Sequence, residues 1–242
     1  MKIIADTHTH TIMSGHAHST LLENLAVAKA RGLKFLAVTD HTSAMLGSCA
    51  PPYFACLKAT TPEIYEGVYL LRGCEANILD ASGALDISDG LLARLEWVIA
   101  SIHSIVTKPM SFEEHTELYI NIAKNPHVDV IGHPGQVEFE FDYEKVIKEL
   151  KHCGKIVEIN SSSARTRPAS IPNCITIAKL CAKHGVPVVV SSDAHFAGDV
   201  GGFDFALALL KEAEIPEELV LNANEKRFAK YMTARTGRKF VL

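Results

Sequence analysis

The chain has 242 residues, 48% of them hydrophobic and 21% charged, with a formal net charge of −4. This composition supplies a sizeable core and excludes a disordered chain, and the acidic balance argues against a protein that coats nucleic acid. Its length suits a single α/β barrel. Cys49, Cys56, Cys74, Cys153, Cys174 and Cys181 form no C-x-x-C pair, a pattern of reduced cytosolic thiols rather than a disulfide framework. The opening residues lack an apolar stretch long enough for a signal peptide. No window approaches the ~20 apolar residues of a membrane span. A cytoplasmic protein without membrane contact is expected.

In chain order, a short apolar run at 2–5 is followed by a helical pattern at 21–30 that stops at Gly32. A second run, 33–39, leads into residues 43–62, the least regular segment, expected to be a loop over the site. Runs at 67–74 and 96–101 follow, then a helix at 111–124 opened by Ser-Phe-Glu-Glu, which has capping-box spacing. Run 128–132 precedes a helix at 142–152 with a stop at Gly154, and run 155–159 precedes a helix at 172–184 with a stop at Gly185. Run 186–191 and helices at 203–212 and 224–235 close the chain. Runs this short and β-branched read as strands buried on both faces. Their alternation with helices, without a composition break, predicts one domain over 1–242 built on a parallel sheet. Seven strands point to a closed or nearly closed (β/α)7 barrel. An open doubly wound sheet is the main rival, since periodicity does not register closure.

The chemistry-bearing residues share one place in this scheme. Asp6-Thr-His8-Thr-His10 and then His16 follow the first strand, and Asp40-His41 the second. Glu75 ends the third, while His103, His133 and Asp193-Ala-His195 follow the fourth, fifth and seventh. These are the carboxyl ends of the strands, where parallel barrels build active sites. Imidazoles suit zinc, manganese and iron, and a carboxylate bridges two ions. A lone H-x-H is weak support; the joint pattern on six of seven strand ends carries the metal reading. Of the other histidines, His115, His127, His152 and His184 read as surface residues, and His18, near His16, is left open. Asp6 and Asp40 adjoin the ligands as candidate acceptors that orient imidazoles.

The stretches ADTHTHTIMSGHAHST, LAVTDH, RGCEANI, ASIHS, VIGHPG, VEINSSS and SSDAH, with the tail IPEELVLNANEKRFAKYM, resemble the PHP (polymerase and histidinol phosphatase) superfamily. Within it they are most similar to the YcdX-type phosphatases with a trinuclear zinc site. The resemblance implies a distorted (β/α)7 barrel and three divalent ions, zinc first, with manganese or iron as alternatives. It implies that His8, His10, Glu75 and Asp193 hold one ion, that Glu75 bridges to a second ion on His103 and His133, and that His16, His41 and His195 hold a third. It also leans towards a homo-oligomer.

Three divalent ions against two carboxylates leave about +4 if all seven imidazoles are neutral, a field that favours a small phosphorylated substrate. The expected reaction is hydrolysis of phosphate monoesters by a metal-bridging hydroxide, with Glu75 and Asp193 central to catalysis. Arg165 and Arg167, in the loop after the sixth strand, are candidate phosphate clamps, the alternative being a solvated loop. Histidinol-phosphate phosphatase, a phosphodiesterase or exonuclease of the same superfamily, an amidohydrolase and a non-enzymatic metal-binding module are the competing readings. The amidohydrolase reading lacks its carboxylated lysine at a strand end.

Overall fold

The structure, a computed structural model, describes residues 1–241. Its first half runs β1 (Ala5–Asp6), α1 (Leu21–Ala30), β2 (Phe35–Val38), α2 (Pro51–Thr60), β3 (Ile64–Tyr65), β4 (Val68–Asn77), α3 (Asp89–Leu92), β5 (Trp97–Ser101) and α4 (Phe112–Ala123). The second half runs β6 (Val130–Ile131), α5 (Tyr143–His152), β7 (Ile156–Asn160), α6 (Ser163–Thr166), α7 (Ile171–His184), β8 (Val188–Ser191), α8 (Asp204–Glu212) and α9 (Glu225–Thr236).

The strands pair in the order β1-β2-β4-β5-β6-β7-β8, all parallel. That order contains no reversal, so the doubly wound alternative, which needs a switch point, is excluded. The two ends of the sheet also meet. Asp193 N donates to His8 O at 3.0 Å and His10 N to Ala194 O at 2.9 Å. Below them the side chain of Asn222 bridges the seam: its amide donates to Ala5 O (2.9 Å) and Val190 O (2.7 Å) and its oxygen accepts from Val190 N (3.0 Å). The result is a nearly closed (β/α)7 barrel.

Side chains alternate in and out along each strand. Phe35, Ala37, Tyr69, Leu71, Trp97, Ile99, Val130, Ile156 and Val189 share one interior cluster. Phe228 and Met232 of α9 plug it from below, Phe228 lying edge-on to Phe35 at 5.0 Å between ring centroids. The opposite faces, among them Leu36, Val98, Ile131, Val157 and Val190, pack beneath the surrounding helices. The apolar filling stops halfway up the barrel, and the polar site sits above it.

The elements differ from expectation in several places: β1 is Ala5–Asp6 rather than 2–5, and the short helices α3 and α6 were not expected. Strand β4 runs three residues beyond the apolar stretch, because Glu75 and Asn77 stay in register with β5. Residues 51–60 are a helix rather than loop; Pro51 and Pro52 occupy its first turn, where the missing N–H costs nothing. The small antiparallel strand β3 against β4 was not expected. All six cysteines are unpaired, as their spacing implied. Among the described residues no helix is long and apolar enough to cross a membrane.

Asn222 is fully buried, and its loss leaves backbone groups of both seam strands without partners. Asn222→Ala is expected to lower unfolding stability by about 1–3 kcal/mol, read from urea denaturation. An unchanged midpoint would show that the seam does not need this side chain.

Candidate metal centre

Glu75, at the top of β4, stands in the middle of the site with 1% exposure. Its two oxygens face different sets of imidazoles. Oε1 lies 2.9 Å from His133 Nε2 and 3.3 Å from His103 Nε2. Oε2 lies 2.9 Å from His41 Nδ1, 3.2 Å from His8 Nε2 and 3.4 Å from His10 Nε2. Asp193 approaches the same imidazoles from β8, with Oδ1 3.3 Å from His10 Nε2 and 3.6 Å from His8 Nε2. His195 and His16 complete the cluster on the solvent side, Nε2 to Nε2 at 3.0 Å. All nine residues expected at the rim therefore converge. Three triads, His8/His10/Glu75, His41/Glu75/His103 and His10/His41/His195, bring their ligand atoms within 4.8 Å of one another.

The arrangement is held from behind. Glu158 Oε1 accepts from His8 Nδ1 at 2.6 Å, turning the Nε2 of that ring towards Glu75, and Oε2 accepts from His133 N at 2.7 Å. Asn77 Oδ1 accepts from His103 Nδ1 at 2.8 Å. His10 Nδ1 meets Ser14 Oγ at 2.9 Å, and Ser14 donates in turn to Asp40 Oδ1 at 2.7 Å. Asn160 donates to Asp193 Oδ2 at 3.1 Å. The expectation for the neighbouring aspartates needs correction. Asp40 reaches His10 only through Ser14, and Asp6 touches no ring: it accepts from Ser192 N (3.1 Å) and Gly201 N (2.8 Å), fixing backbone instead. Sequence reasoning missed Glu158. Its signal was present, since it is a charged residue within the apolar run Ile156–Ile159, on the face shared by Ile156 and Asn160.

The electrostatics follow from burial. Desolvation alone would push the Glu75 and Asp193 carboxyls up, yet both are held well below the carboxylate range, Glu75 by His8, His103 and His41, and Asp193 by His8 and His10. Burial disfavours the charged form of His8, but the carboxylates of Glu158, Glu75 and Asp193 outweigh it and raise that ring well above its ordinary value. His10 goes the other way, lowered well below by burial and by the neighbouring His195 and His41.

Local geometry is bent to serve the cluster. His133 (φ 23°) and Asp193 (φ 53°) adopt backbone that L-residues rarely take, a strain that concentrates at functional sites. At Gly73, two residues below Glu75, a Cβ would collide with Trp97 O, and at Gly132, level with Asn77, with Ser101 Oγ, so the strands approach at both points as closely as only glycine permits.

Two buried atoms test whether a metal fits. Glu75 Oε2 and His41 Nδ1 lie 2.9 Å apart, yet among the described residues neither has a hydrogen-bond partner. Orphans of this kind are rare, and a cation shared between them satisfies both. The donor set, imidazole with a central carboxylate, is that of a transition-metal site.

The cluster floors a cavity of about 290 Å³ whose mouth carries Met45, Ser162, Arg165, Thr166 and Arg167. Arg167 donates to Asp193 Oδ2 at 3.3 Å, while Arg165 is mostly exposed and paired with Asp199 at 3.2 Å. Of the histidines read as surface residues, His152 is exposed and His127 and His184 are half-buried, His184 pairing with Glu144 at 3.1 Å. His115 contradicts the reading: it is 3% exposed, donates from Nδ1 to Glu140 O and accepts at Nε2 from Met110 N, each at 2.9 Å. Helical position alone does not reveal that a polar ring is satisfied inside. His18 is exposed.

Comparison with known proteins agrees with this geometry. The PHP domain model matches residues 6–162 and a PHP-associated model residues 176–219. A relative from Acetivibrio thermocellus, named a probable phosphatase, is 45% identical over 238 residues, 98% of either chain. Another of that name, from Thermoanaerobacter pseudethanolicus, is 46% identical over 96% of this chain and 95% of its own. The structure of histidinol phosphate phosphatase from Lactococcus lactis, complexed with zinc, L-histidinol and phosphate, superposes with a TM-score of 0.60. It covers 88% of this chain and 94% of its own at 17% identity, a likeness of fold. The chain belongs to the PHP family and is one of its phosphatases.

Proposed function

We propose that residues 1–242 act as one domain that hydrolyses phosphate monoesters at a centre of three divalent ions, zinc first among them. The observation that carries this reading is the buried Glu75 carboxylate, whose oxygens face separate groups of imidazoles. In this assignment His8, His10, Glu75 and Asp193 would hold one ion, Glu75, His103 and His133 a second, and His16, His41 and His195 the third. Zinc is supported by the ion in the Lactococcus lactis structure, with manganese or iron as alternatives. Bound ions of this class supply an acidified water, at a pKa of about 7, and neutralise charge on phosphoryl oxygens.

The chain's own residues do the rest. Glu158, Ser14 and Asn77 orient the rings of His8, His10 and His103 towards the centre, which favours binding through the opposite nitrogen. Arg167, at the mouth, presents a guanidinium to a phosphate while its Nη2 stays on Asp193, which sets the direction of approach. Arg165 is more exposed and already paired with Asp199, so its clamp is the weaker of the two.

His10→Ala, or chelation of the wild type, is expected to remove metal and abolish phosphatase activity. Far-UV circular dichroism should be retained, and metal content is read by elemental analysis. Full activity in either case would reject the assignment.

Glu158→Gln keeps the shape but lacks the charge opposite His8. It should weaken metal binding by about 10–100-fold, measured by competition with a chromogenic chelator. Wild-type affinity would mean that Glu158 only packs.

Metal binding requires neutral imidazole, and His8 in the metal-free chain holds its proton well above the ordinary histidine value. Apparent metal affinity should therefore fall as pH drops and keep rising above neutrality until His8 has titrated, with protons released on loading. Calorimetry in buffers of different ionisation enthalpy reads that release; a pH-independent affinity with none would contradict it.

A further inference from the structure

Beside the cavity that holds the candidate ligands lies a wider groove of about 470 Å³. The two are continuous, since His16, Met45, His103 and Arg167 line both. The far part of the groove is walled by Leu46, from the loop after β2, and Ile105, from the loop after β5. These side chains are 85% and 69% exposed, so each has most of its surface left to bury. The remaining polar walls are Ser104 and Gln136, and the Gln136 amide already donates to Ile102 O at 2.7 Å. Among the described residues no carboxylate lines the groove.

We propose that this groove receives the alcohol portion of the substrate and selects phosphate monoesters of uncharged, largely apolar alcohols over those of amino alcohols. The inference rests on the phosphatase reading above. A phosphoryl group drawn to the cluster leaves its ester oxygen and carbon chain to exit past His103 and Arg167, the residues that join the two spaces. An aliphatic or ring-bearing chain of suitable length then covers Leu46, Ile105 and Met45 and releases water from them. An ammonium group in the same place meets Arg167, two imidazoles and no anionic partner, so it loses hydration without compensation. The ligand class differs from that in the Lactococcus lactis structure, where L-histidinol carries an amine.

The test uses metal-loaded protein and three alkyl esters with leaving groups of similar basicity: ethyl, hexyl and 6-aminohexyl phosphate. Released phosphate gives kcat/KM for each. The wild type is expected to favour hexyl over both others by about 10-fold or more. Leu46→Glu and Ile105→Glu place an acid on an exposed wall without touching the core, and each should lower the hexyl to 6-aminohexyl ratio by about 10-fold or more. Unaltered thermal unfolding midpoints show that these variants remain folded. Equal turnover of the three esters by the wild type, or an unchanged ratio in both variants, overturns the groove assignment while leaving the phosphatase reading in place. If no ester is hydrolysed, the phosphatase reading fails and the groove assignment with it.

Discussion

A carboxylate sealed from water at the centre of a barrel is the constraint around which this molecule is arranged. Burying an uncompensated charge costs many kcal/mol, and Glu75 is tolerated because imidazoles surround both of its oxygens. The compensation is mutual. The imidazoles hold the carboxyl ionised, while the carboxylates oppose the loss of the His8 proton that burial alone would cause. Such a knot of opposed charges has no role in packing that a set of leucines would not fill better. Its donor set is one that cations would complete.

The barrel divides the labour by height. Its lower half is filled by aromatic and branched side chains and closed from beneath by α9, so stability resides where nothing reacts. The upper half carries the polar residues, and missing side chains at Gly73, below Glu75, and at Gly132, above it, let the strands close up around that carboxylate. His133 and Asp193 carry left-handed backbone in the polar half, as Glu66 and Glu214 do in turns outside it, and the hydrogen bonds of Glu158 and Asn160 hold the first two in place.

The rim is tied to the centre through one chain of contacts. Tyr53 of α2 donates to Asp40 at 2.7 Å, Asp40 accepts from Ser14, and Ser14 reaches His10. The segment between β2 and α2 therefore carries Met45 and Leu46 to the mouth on a support anchored to His10. The apolar wall of the groove and the imidazole–carboxylate cluster are thus joined by one chain of hydrogen bonds.

Much of this was legible along the chain because its causes are local or periodic. Short β-branched runs and capped helices mark the strand–helix alternation, and α1 spans the residues its pattern predicts, from the Thr20 cap to the last turn before Gly32. The rim cluster was recognisable because barrel geometry maps strand ends onto one mouth, so a linear list of His8, His41, Glu75, His103, His133 and Asp193 already implies proximity. What depended on tertiary structure was pairing between distant residues. Closure of the seam by Asn222, the grip of Glu158 on His8, and the burial of His115 against Glu140 all join positions whose separation in sequence carries no signal. Residue type and period determine which side chains face inward. Only the folded chain decides which nitrogen meets which oxygen, because hydrogen bonds require contact within a few tenths of an ångström and periodicity resolves no better than a face.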